Sequence, residues 1–233
     1  MKNYELSVII AAYNEEKNII GTLKRVSKAV PNAEILVVDD GSRDNTAKVA
    51  KNTRIQNLRV IRYTPNRGKG YATQVGIKNA KGKIMAQIDA DCQFMPEELP
   101  MLIKPIQDGK ADIVFGSRFI NGSKIGKNSL TRLKRVANFV VSLYTSILAG
   151  RRLTDVNAGF KAWTAKAIRD IDIRCTHFAY EPEIAIMAKK KGYKIVEFPL
   201  TYKLRKGGAS KVNLMREGII IPWYLLKVKL FRR

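Results

Sequence analysis

The sequence has few residues that form disulfides or bind transition metals: two cysteines, Cys92 and Cys175, and one histidine, His177. Two thiols far apart in the chain make neither a disulfide framework nor a CxxC pair, which favours a reducing compartment. The usual zinc-binding sets of His and Cys cannot be assembled from these scattered residues. Any metal is therefore expected on oxygen ligands, with Mg²⁺ or Mn²⁺ as the natural ion.

Long hydrophobic runs are also missing. No apolar segment approaches the roughly 20 residues that a membrane-spanning helix needs, and the apolar run near the C-terminus is interrupted by Pro222. No signal peptide precedes the first apolar run. We therefore expect no transmembrane helix within the chain and a location on the cytoplasmic side.

Acidic residues are scarce relative to basic ones, 20 against 43, which gives a formal net charge of +23. The imbalance is uneven: residues 1–120 carry 19 basic and 13 acidic residues, whereas residues 121–233 carry 24 and 7. A basic excess attracts nucleic acid, anionic lipid headgroups or phosphorylated substrates, and charge alone does not choose between them.

Apolar runs alternate with segments of helical periodicity over the first 120 residues. The runs are LSVIIAA, EILVVDD, LRVIRY, KIMAQIDAD and ADIVFGSR. Strands that are hydrophobic throughout, rather than alternating with polar residues, are typical of a parallel sheet covered on both faces. The sequence therefore predicts an α/β fold with a mostly parallel central sheet and helices on both faces.

Carboxylates follow several of the predicted strands. Glu15 follows the first strand, Asp40 ends the second, and Asp89 and Asp91 follow the fourth. Asp89 and Asp91 flank one residue, so an extended backbone directs both carboxylates to the same side, where they form an oxygen site for a hard cation. Gln93 adds a neutral oxygen or orients a metal-bound water. A DxD tripeptide in isolation is more often an ordinary surface turn, but strand ends are where ligands bind in such sheets.

Two later segments combine apolar residues with basic ends. LTRLKRVANFVVSLYTSILAG predicts a helix with basic residues at its start, and GIIIPWYLLKVKLFRR has them at its end. Both suit a helix that lies in a lipid interface with its apolar side down. Ordinary core helices that are basic at one end are the alternative.

Several ordered motifs resemble family 2 glycosyltransferases, enzymes with the GT-A nucleotide-sugar fold. The motifs are VIIAAYNEEKNI, ILVVDDGSRDNT, NRGKGYATQVGI, IDADCQFMPEEL and GSRF. TDVNAGFKAW and RKGGASK look like the polyprenyl-phosphate branch of that family, which includes the dolichol-phosphate mannose synthases. The resemblance spans nearly the whole chain and is more specific for the fold than for the sugar.

The resemblance implies a donor site at the strand ends. The residues it assigns to the nucleotide sugar and its metal are Ala11, Tyr13, Glu15, Val38, Asp40, Asp89, Ala90, Asp91, Gln93, Arg205 and Lys211. Among these, the implied metal ligands are Asp89, Asp91 and Gln93. Ala11 stands where the family commonly has proline, a departure that puts only a packing contact in doubt.

The catalytic residues that the resemblance implies are Asp91, Arg118, Arg205 and Lys211. Arg118 is expected near the sugar or the acceptor phosphate, and Arg205 and Lys211 are expected to neutralise donor and acceptor phosphates. Displacing a nucleoside diphosphate loads negative charge onto the leaving group, and a metal with such cations stabilises that charge as it develops.

The implied organisation is one GT-A domain over residues 1–233, with a nucleotide-sugar half (1–120), an acceptor half (121–213) and a basic amphipathic segment (214–233). The implied reaction moves mannose from GDP-mannose to a polyprenyl (dolichyl) phosphate with inversion. A phosphate monoester is largely ionised at neutral pH, so such an acceptor needs little help from a base. An anionic membrane surface and a separate membrane-anchoring subunit are the expected partners.

Two other functions stay open at this stage. One keeps the fold and changes the substrate: UDP-glucose with the same lipid, or a glycan acceptor. The other is a basic nucleic-acid-binding protein without catalysis, which the strand-end carboxylates disfavour because they would repel a phosphate backbone. The sequence also has no RNP-type or helix-turn-helix signature, so we expect no nucleic acid partner.

Some residues outside these motifs have two interpretations. Asp155 and Gly159 of TDVNAGF are acceptor-side residues or a capping aspartate and a turn glycine. Glu181 and Glu183 recognise the sugar or serve the N-terminus of a helix.

Overall fold

The computed structural model describes residues 4–205, Gly207 and residues 214–232, the last range without the side chains of 214–219. The strands are β1 (Tyr4–Ala12), β2 (Glu34–Asp40), β3 (Leu58–Tyr63), β4 (Gly82–Ile88), β5 (Ile113–Ser117), β6 (Lys124–Ile125), β7 (Phe160–Thr164), β8 (Ile195–Pro199) and β9 (Thr201–Tyr202). The helices are α1 (Ile19–Ala29), α2 (Thr46–Lys51), α3 (Lys69–Asn79), α4 (Leu99–Gln107), α5 (Arg132–Ala149), α6 (Ala165–Asp170), α7 (Tyr180–Lys190) and α8 (Leu214–Phe231), and a 3₁₀ turn, Pro96–Glu98, precedes α4.

Seven strands form the central sheet in the order β3-β2-β1-β4-β7-β5-β8. All neighbours are parallel except β7, which runs antiparallel to both β4 and β5. The predicted, mostly parallel sheet is therefore confirmed, with one reversed strand inserted at its centre. A second, two-stranded sheet pairs β6 with β9.

Helices cover both faces of the sheet because successive side chains of each strand point to opposite sides. On one face, Ile9 of β1 belongs to an apolar cluster with residues of α3, α5, α7 and α8. On the other face, Val8 and Ile10 belong to a cluster with residues of α1 and α4. The strands are thus buried on both sides, which explains why their sequences are apolar throughout.

Helix α5 has clear end signals. The Thr131 hydroxyl accepts a hydrogen bond from the Lys134 amide at the start, and Gly150 adopts a left-handed conformation with φ 64° at the end. Tyr144 of α5 donates a hydrogen bond to the Pro222 carbonyl of α8, so the two helices pack together. They are neighbours in space although about 80 residues separate them in sequence.

Helices α5 and α8 together present an apolar outer face. Of the thirteen large hydrophobic residues that are exposed in the described part of the chain, ten lie on these two helices. They are Leu133, Val136, Phe139, Val140, Leu143 and Ile147 on α5, and Ile220, Trp223, Leu230 and Phe231 on α8. We call these ten residues the apolar outer face. Neither helix, nor any other in the described ranges, is both long and apolar enough to cross a bilayer.

Candidate active site

A cleft of about 820 Å³ lies at the carboxyl ends of β1, β2 and β4. It continues past Arg118 to the inner sides of α5 and α8, where Val141, Tyr144 and Pro222 line it. One end of the cleft is therefore rich in charged groups and the other is mostly apolar.

Ten of the residues assigned from the sequence line this cleft: Ala11, Tyr13, Glu15, Asp40, Asp89, Ala90, Asp91, Gln93, Arg118 and Arg205. Val38 is different, because its side chain is fully buried in the core. Lys211 lies outside the described residues. The structure also brings residues into the lining that sequence reasoning did not assign to the site, chiefly Asn66, Lys69, Asn138 and Tyr202.

Asp89 and Asp91 are each held by a cation. Lys69 Nζ lies 2.8 Å from Asp89 Oδ1, and Arg205 Nη1 lies 3.6 Å from Asp91 Oδ2. Burial, and then the neighbouring charge of Asp89, raise the pKa of Asp91 to about 6. Burial therefore makes the Asp91 carboxylate harder to ionise than an ordinary aspartate, and the negative charge of Asp89 beside it adds to this effect.

Gln93 completes an oxygen-rich set next to this pair. Its backbone amide donates to Asp91 Oδ1 at 3.1 Å, and its side-chain amide nitrogen donates to the Lys203 carbonyl at 3.0 Å. The amide oxygen is then the remaining acceptor of Gln93. Two carboxylates and one amide oxygen are hard donors that fit Mg²⁺ or Mn²⁺ with substrate oxygens as further ligands. Over the described ranges, no group of three or more His, Cys, Asp or Glu side chains could hold a metal ion.

Glycine at position 159 leaves room for the Asp89 carboxylate. Ile88 pairs with Phe160 in the antiparallel β4–β7 ladder, so Asp89 and Gly159 come next and face each other. A β-carbon at Gly159 would lie 2.1 Å from Asp89 Oδ2. Gly159 is therefore needed to make room for the Asp89 carboxylate. Neither the acceptor-side nor the turn-glycine interpretation of the sequence included this role.

A buried row of alternating charges lies behind Asp89. Lys69 pairs with Asp89 and also with Glu181 Oε1 at 3.2 Å, while Lys161 Nζ lies 3.5 Å from Glu181 Oε2. Lys161 is fully buried and also donates to the Ala158 carbonyl. Burial opposes ionisation of Glu181, but the ammonium groups of Lys161 and Lys69 outweigh it and lower the pKa of Glu181 to about 2.

The end of the cleft next to β2 is shaped by Asp40. Its Oδ1 accepts from the Arg67 amide at 2.7 Å, and its Oδ2 accepts from the Gly68 amide at 2.9 Å and from Asn66 Nδ2 at 2.8 Å. Asp40 therefore fixes the loop before α3 as a wall of the cleft. His177 packs against Gly68 on the same wall and also lines the cleft.

Arg205 connects the segment after β9 to the end of the cleft that holds Glu15 and Asp91. It forms an ion pair with Glu15, and its Nε donates to the Gly207 carbonyl at 2.8 Å. Asn18 Nδ2 donates to the same carbonyl at 3.2 Å and to Glu15 Oε2 at 2.8 Å. The guanidinium thus lies between Glu15 and Asp91, beside the carboxylate pair.

Arg118 occupies the middle of the cleft, between the carboxylates and α5. It is 8% exposed and forms a two-pronged pair with Asp155, from Nε to Oδ2 at 2.6 Å and from Nη2 to Oδ1 at 2.8 Å. Asp155 is fully buried and is absent from the cleft lining. Lys134 and Asn138 of α5 also line the cleft, and Asn138 Oδ1 lies 3.5 Å from Arg118 Nη2.

The fold and the cleft define a GT-A protein. A solved structure of glucosyl-3-phosphoglycerate synthase from Mycobacterium tuberculosis, in complex with Mn²⁺, UDP and glucosyl-3-phosphoglycerate, superposes with a TM-score of 0.71 at 19% identity. The match covers 97% of this chain and 80% of that one, which establishes the fold. The fold predicted from the sequence motifs is therefore confirmed.

The family follows from sequence comparison. The model of glycosyl transferase family 2 matches residues 7–173. An undecaprenyl-phosphate mannosyltransferase from Micrococcus luteus is 32% identical, over 95% of this chain and 97% of that protein. A UDP-N-acetylglucosamine–dolichyl-phosphate N-acetylglucosaminyltransferase from Methanococcus voltae is also 32% identical, over 96% of this chain and 95% of that protein. The chain belongs to glycosyl transferase family 2 and is a glycosyltransferase.

Proposed function

We propose that the protein transfers a hexose from a nucleotide sugar to a polyprenyl phosphate. The observation that carries this proposal is the shape of the cleft, which joins a carboxylate pair at the strand ends to an apolar wall formed by α5 and α8. A sugar nucleotide needs the first end, and a lipid needs the second. The names of the two similar transferases, both of which act on polyprenyl-type phosphates, support the same acceptor class.

The proposed donor is GDP-mannose. TDVNAGFKAW and RKGGASK resemble the mannose-transferring branch of the family, and one of the two similar transferases is named for mannose. The other is named for UDP-N-acetylglucosamine, so a UDP-sugar is the alternative donor. The donor diphosphate would lie beside Asp89 and Asp91, with Arg205 and Lys211 as the cations that neutralise it.

Asp89, Asp91 and Gln93 would hold the Mg²⁺ or Mn²⁺ ion, which supplies positive charge to the departing diphosphate when it is bound. Arg205 lies next to these residues and adds a second positive group. Lys69 forms an ion pair with Asp89 and so fixes the position of its carboxylate. These contacts preorganise the charge distribution that the leaving group requires.

The proposed acceptor site is the middle of the cleft. Arg118 and Lys134 offer cationic donors for a phosphate, and Asn138 offers an amide. The acceptor phosphate is already largely ionised at neutral pH, so it attacks the anomeric carbon without a base and inverts it. The first isoprenoid units would then contact Val141, Tyr144 and Pro222 beyond the phosphate.

The apolar outer face supports a peripheral location on an anionic membrane, on its cytoplasmic side. Its ten residues lie on the two helices that also form the apolar wall of the cleft. Arg132 and Arg135 on α5 and Lys227 and Lys229 on α8 are exposed basic residues around it. This combination matches an interfacial helix pair that buries apolar side chains among lipids and places basic groups near phosphates. A separate membrane-anchoring subunit on the same face is the competing occupant.

Transfer assays test this proposal. Purified protein with Mn²⁺ is incubated with GDP-mannose, UDP-glucose or UDP-N-acetylglucosamine and a short-chain polyprenyl phosphate, and products are measured by mass spectrometry. We expect a mannosyl phosphodiester of inverted configuration, lost on chelation, and no product with the matching polyprenol, which lacks the phosphate. Transfer to the polyprenol or to a glycan, but not to the phosphate, would overturn the acceptor assignment.

A further inference from the structure

The proposed function gives Arg118 a place on the acceptor phosphate but does not explain what fixes its orientation. We infer that Asp155, supported by Glu197, is a positioning residue that aims Arg118 at the acceptor. This inference depends on the proposed function, because it concerns the geometry of the acceptor site.

Asp155 engages one edge of the Arg118 guanidinium completely. Its two oxygens accept from Nε at 2.6 Å and from Nη2 at 2.8 Å, and Oδ2 also accepts from the Arg118 backbone amide at 3.1 Å. A two-pronged arginine–carboxylate pair of this kind fixes the guanidinium plane as well as its position. Nη1, with two N–H groups, is the part of Arg118 that Asp155 leaves unengaged.

Glu197 of β8 holds Asp155 in turn. Its Oε1 accepts from the amides of Thr154 and Asp155, at 2.8 and 3.2 Å, and from the Thr154 hydroxyl at 2.7 Å. Glu197 is absent from the cleft lining, and it is opposite Phe115 in the parallel β5–β8 ladder. Glu197, on a strand of the central sheet, therefore sets the orientation of Arg118 through the loop that carries Asp155.

Two further groups surround the engaged guanidinium on the cleft side. The Tyr202 ring centroid lies 5.1 Å from the Arg118 guanidinium carbon, and Nη2 approaches Asn138 Oδ1 at 3.5 Å. Both Tyr202 and Asn138 line the cleft. Asp155, Asn138 and Tyr202 together therefore confine the Arg118 guanidinium.

The negative charge of Asp155 indicates that this residue orients Arg118 and does not help it to attract the acceptor phosphate. A carboxylate next to Arg118 weakens the pull of the guanidinium on a phosphate dianion, so Asp155 does not serve to increase affinity. A buried ion pair is also a poor source of net stability, because desolvation offsets the attraction. Orientation is the property that the pair supplies, and small errors in orientation reduce turnover by as much as about a hundredfold.

The test uses Asp155→Asn, which keeps the shape and replaces one acceptor oxygen with an N–H group that opposes the guanidinium. We expect kcat to fall about tenfold to a hundredfold. The dissociation constant for short-chain polyprenyl phosphate, measured by calorimetry, is expected to stay the same or to tighten. In an Arg118→Met background the same change is expected to have little further effect on kcat. Asp108→Asn, at an exposed ion pair with Lys104, is the matched control and should leave both quantities unchanged.

Several results would overturn the inference: an unchanged kcat, an acceptor affinity that weakens in parallel with kcat, or a loss that adds fully to that of Arg118→Met. If Asp155→Asn does not fold, Glu197→Ala decides, because it removes the acceptor of all three hydrogen bonds and leaves both charges of the Arg118–Asp155 pair in place. It is expected to lower kcat with unchanged acceptor affinity, and full activity would contradict the inference. Failure of the proposed function is distinct, since then the unaltered protein would not glycosylate the phosphate at all.

Discussion

The carboxylate of Asp89 rests against the bare α-carbon of Gly159, which the antiparallel strand β7 places directly opposite it. Nothing larger than hydrogen fits at that position without moving the carboxylate. The contact links two residues that are about 70 positions apart in the chain. A substitution at Gly159 therefore tests the role of Asp89.

Gly159→Ala is expected to displace the Asp89 carboxylate and to lower kcat/KM by about a hundredfold, because misplacing a reacting group by about 1 Å has that effect. The fold should persist, since the added methyl meets a side chain and not backbone. Steady-state kinetics and Mn²⁺ titration measure the effect. Gly109→Ala, at an open position with φ +69°, is the control and should lose a little stability without losing activity. Wild-type kinetics for Gly159→Ala would contradict the assignment of Asp89.

The raised pKa of Asp91 predicts a pH dependence of metal binding. Its pKa is about 6 in the metal-free protein, so the carboxylate gains a proton as the pH falls through that value. A metal must displace this proton, and affinity for Mn²⁺ should therefore fall about tenfold per pH unit below pH 6. Calorimetric titrations at pH 5, 6 and 7 measure it. Binding that stays constant over this range would show that Asp91 is not a ligand.

The buried row behind Asp89 predicts non-additive stability changes. Lys161→Met removes one of the two ammonium groups that form ion pairs with buried Glu181 in the described part of the chain, and it is expected to lower the free energy of unfolding by about 3 to 5 kcal/mol. Glu181→Gln removes the partner charge. The double variant should be more stable than the sum of the single losses predicts, by about 1 to 2 kcal/mol. Denaturant unfolding measures all three variants, and simple additivity would contradict the proposed coupling.

The apolar outer face predicts how the protein meets a membrane. Phe139→Glu removes an exposed aromatic ring from this face and should weaken binding to vesicles that contain anionic lipid by about ten- to a hundredfold. Met101→Glu changes an equally exposed residue on α4 and should leave vesicle binding unchanged. Vesicle sedimentation measures both. Transfer to a short-chain acceptor should remain in each variant, and equal vesicle binding by both would favour a protein partner on this face.

Much of the fold could be predicted from the sequence because its signals are local. Apolar runs marked β1 to β5. The extended backbone expected at Asp89 and Asp91 was wrong, because β4 ends at Ile88 and Ala90 and Asp91 lie in a turn, although both carboxylates still line the cleft. Val38 and Asp40 lie on the same face of β2, but Val38 is covered by the core cluster that includes Ala72 of α3, whereas Asp40 is the last residue of the strand and reaches the cleft.

The supporting residues could not be predicted because their partners are distant in sequence. Nothing local in FKAWT indicates that β7 runs between β4 and β5, yet this placement brings Gly159 and Lys161 behind Asp89. From the sequence, Asp155 was either an acceptor-side residue or a capping aspartate, and only tertiary packing shows that it pairs with Arg118. Such contacts depend on strand order, which single-sequence patterns do not encode.

The proposed bridging of the strand-end carboxylates to a diphosphate is tested most directly by calorimetric titration of GDP with and without Mn²⁺, for the unaltered protein and for Asp91→Asn. We predict that Mn²⁺ tightens GDP binding by at least about tenfold in the unaltered protein, in line with a direct metal ligand to the diphosphate. In Asp91→Asn this gain should disappear. Equal GDP affinity with and without the metal, or a full gain in the variant, would contradict the proposed site.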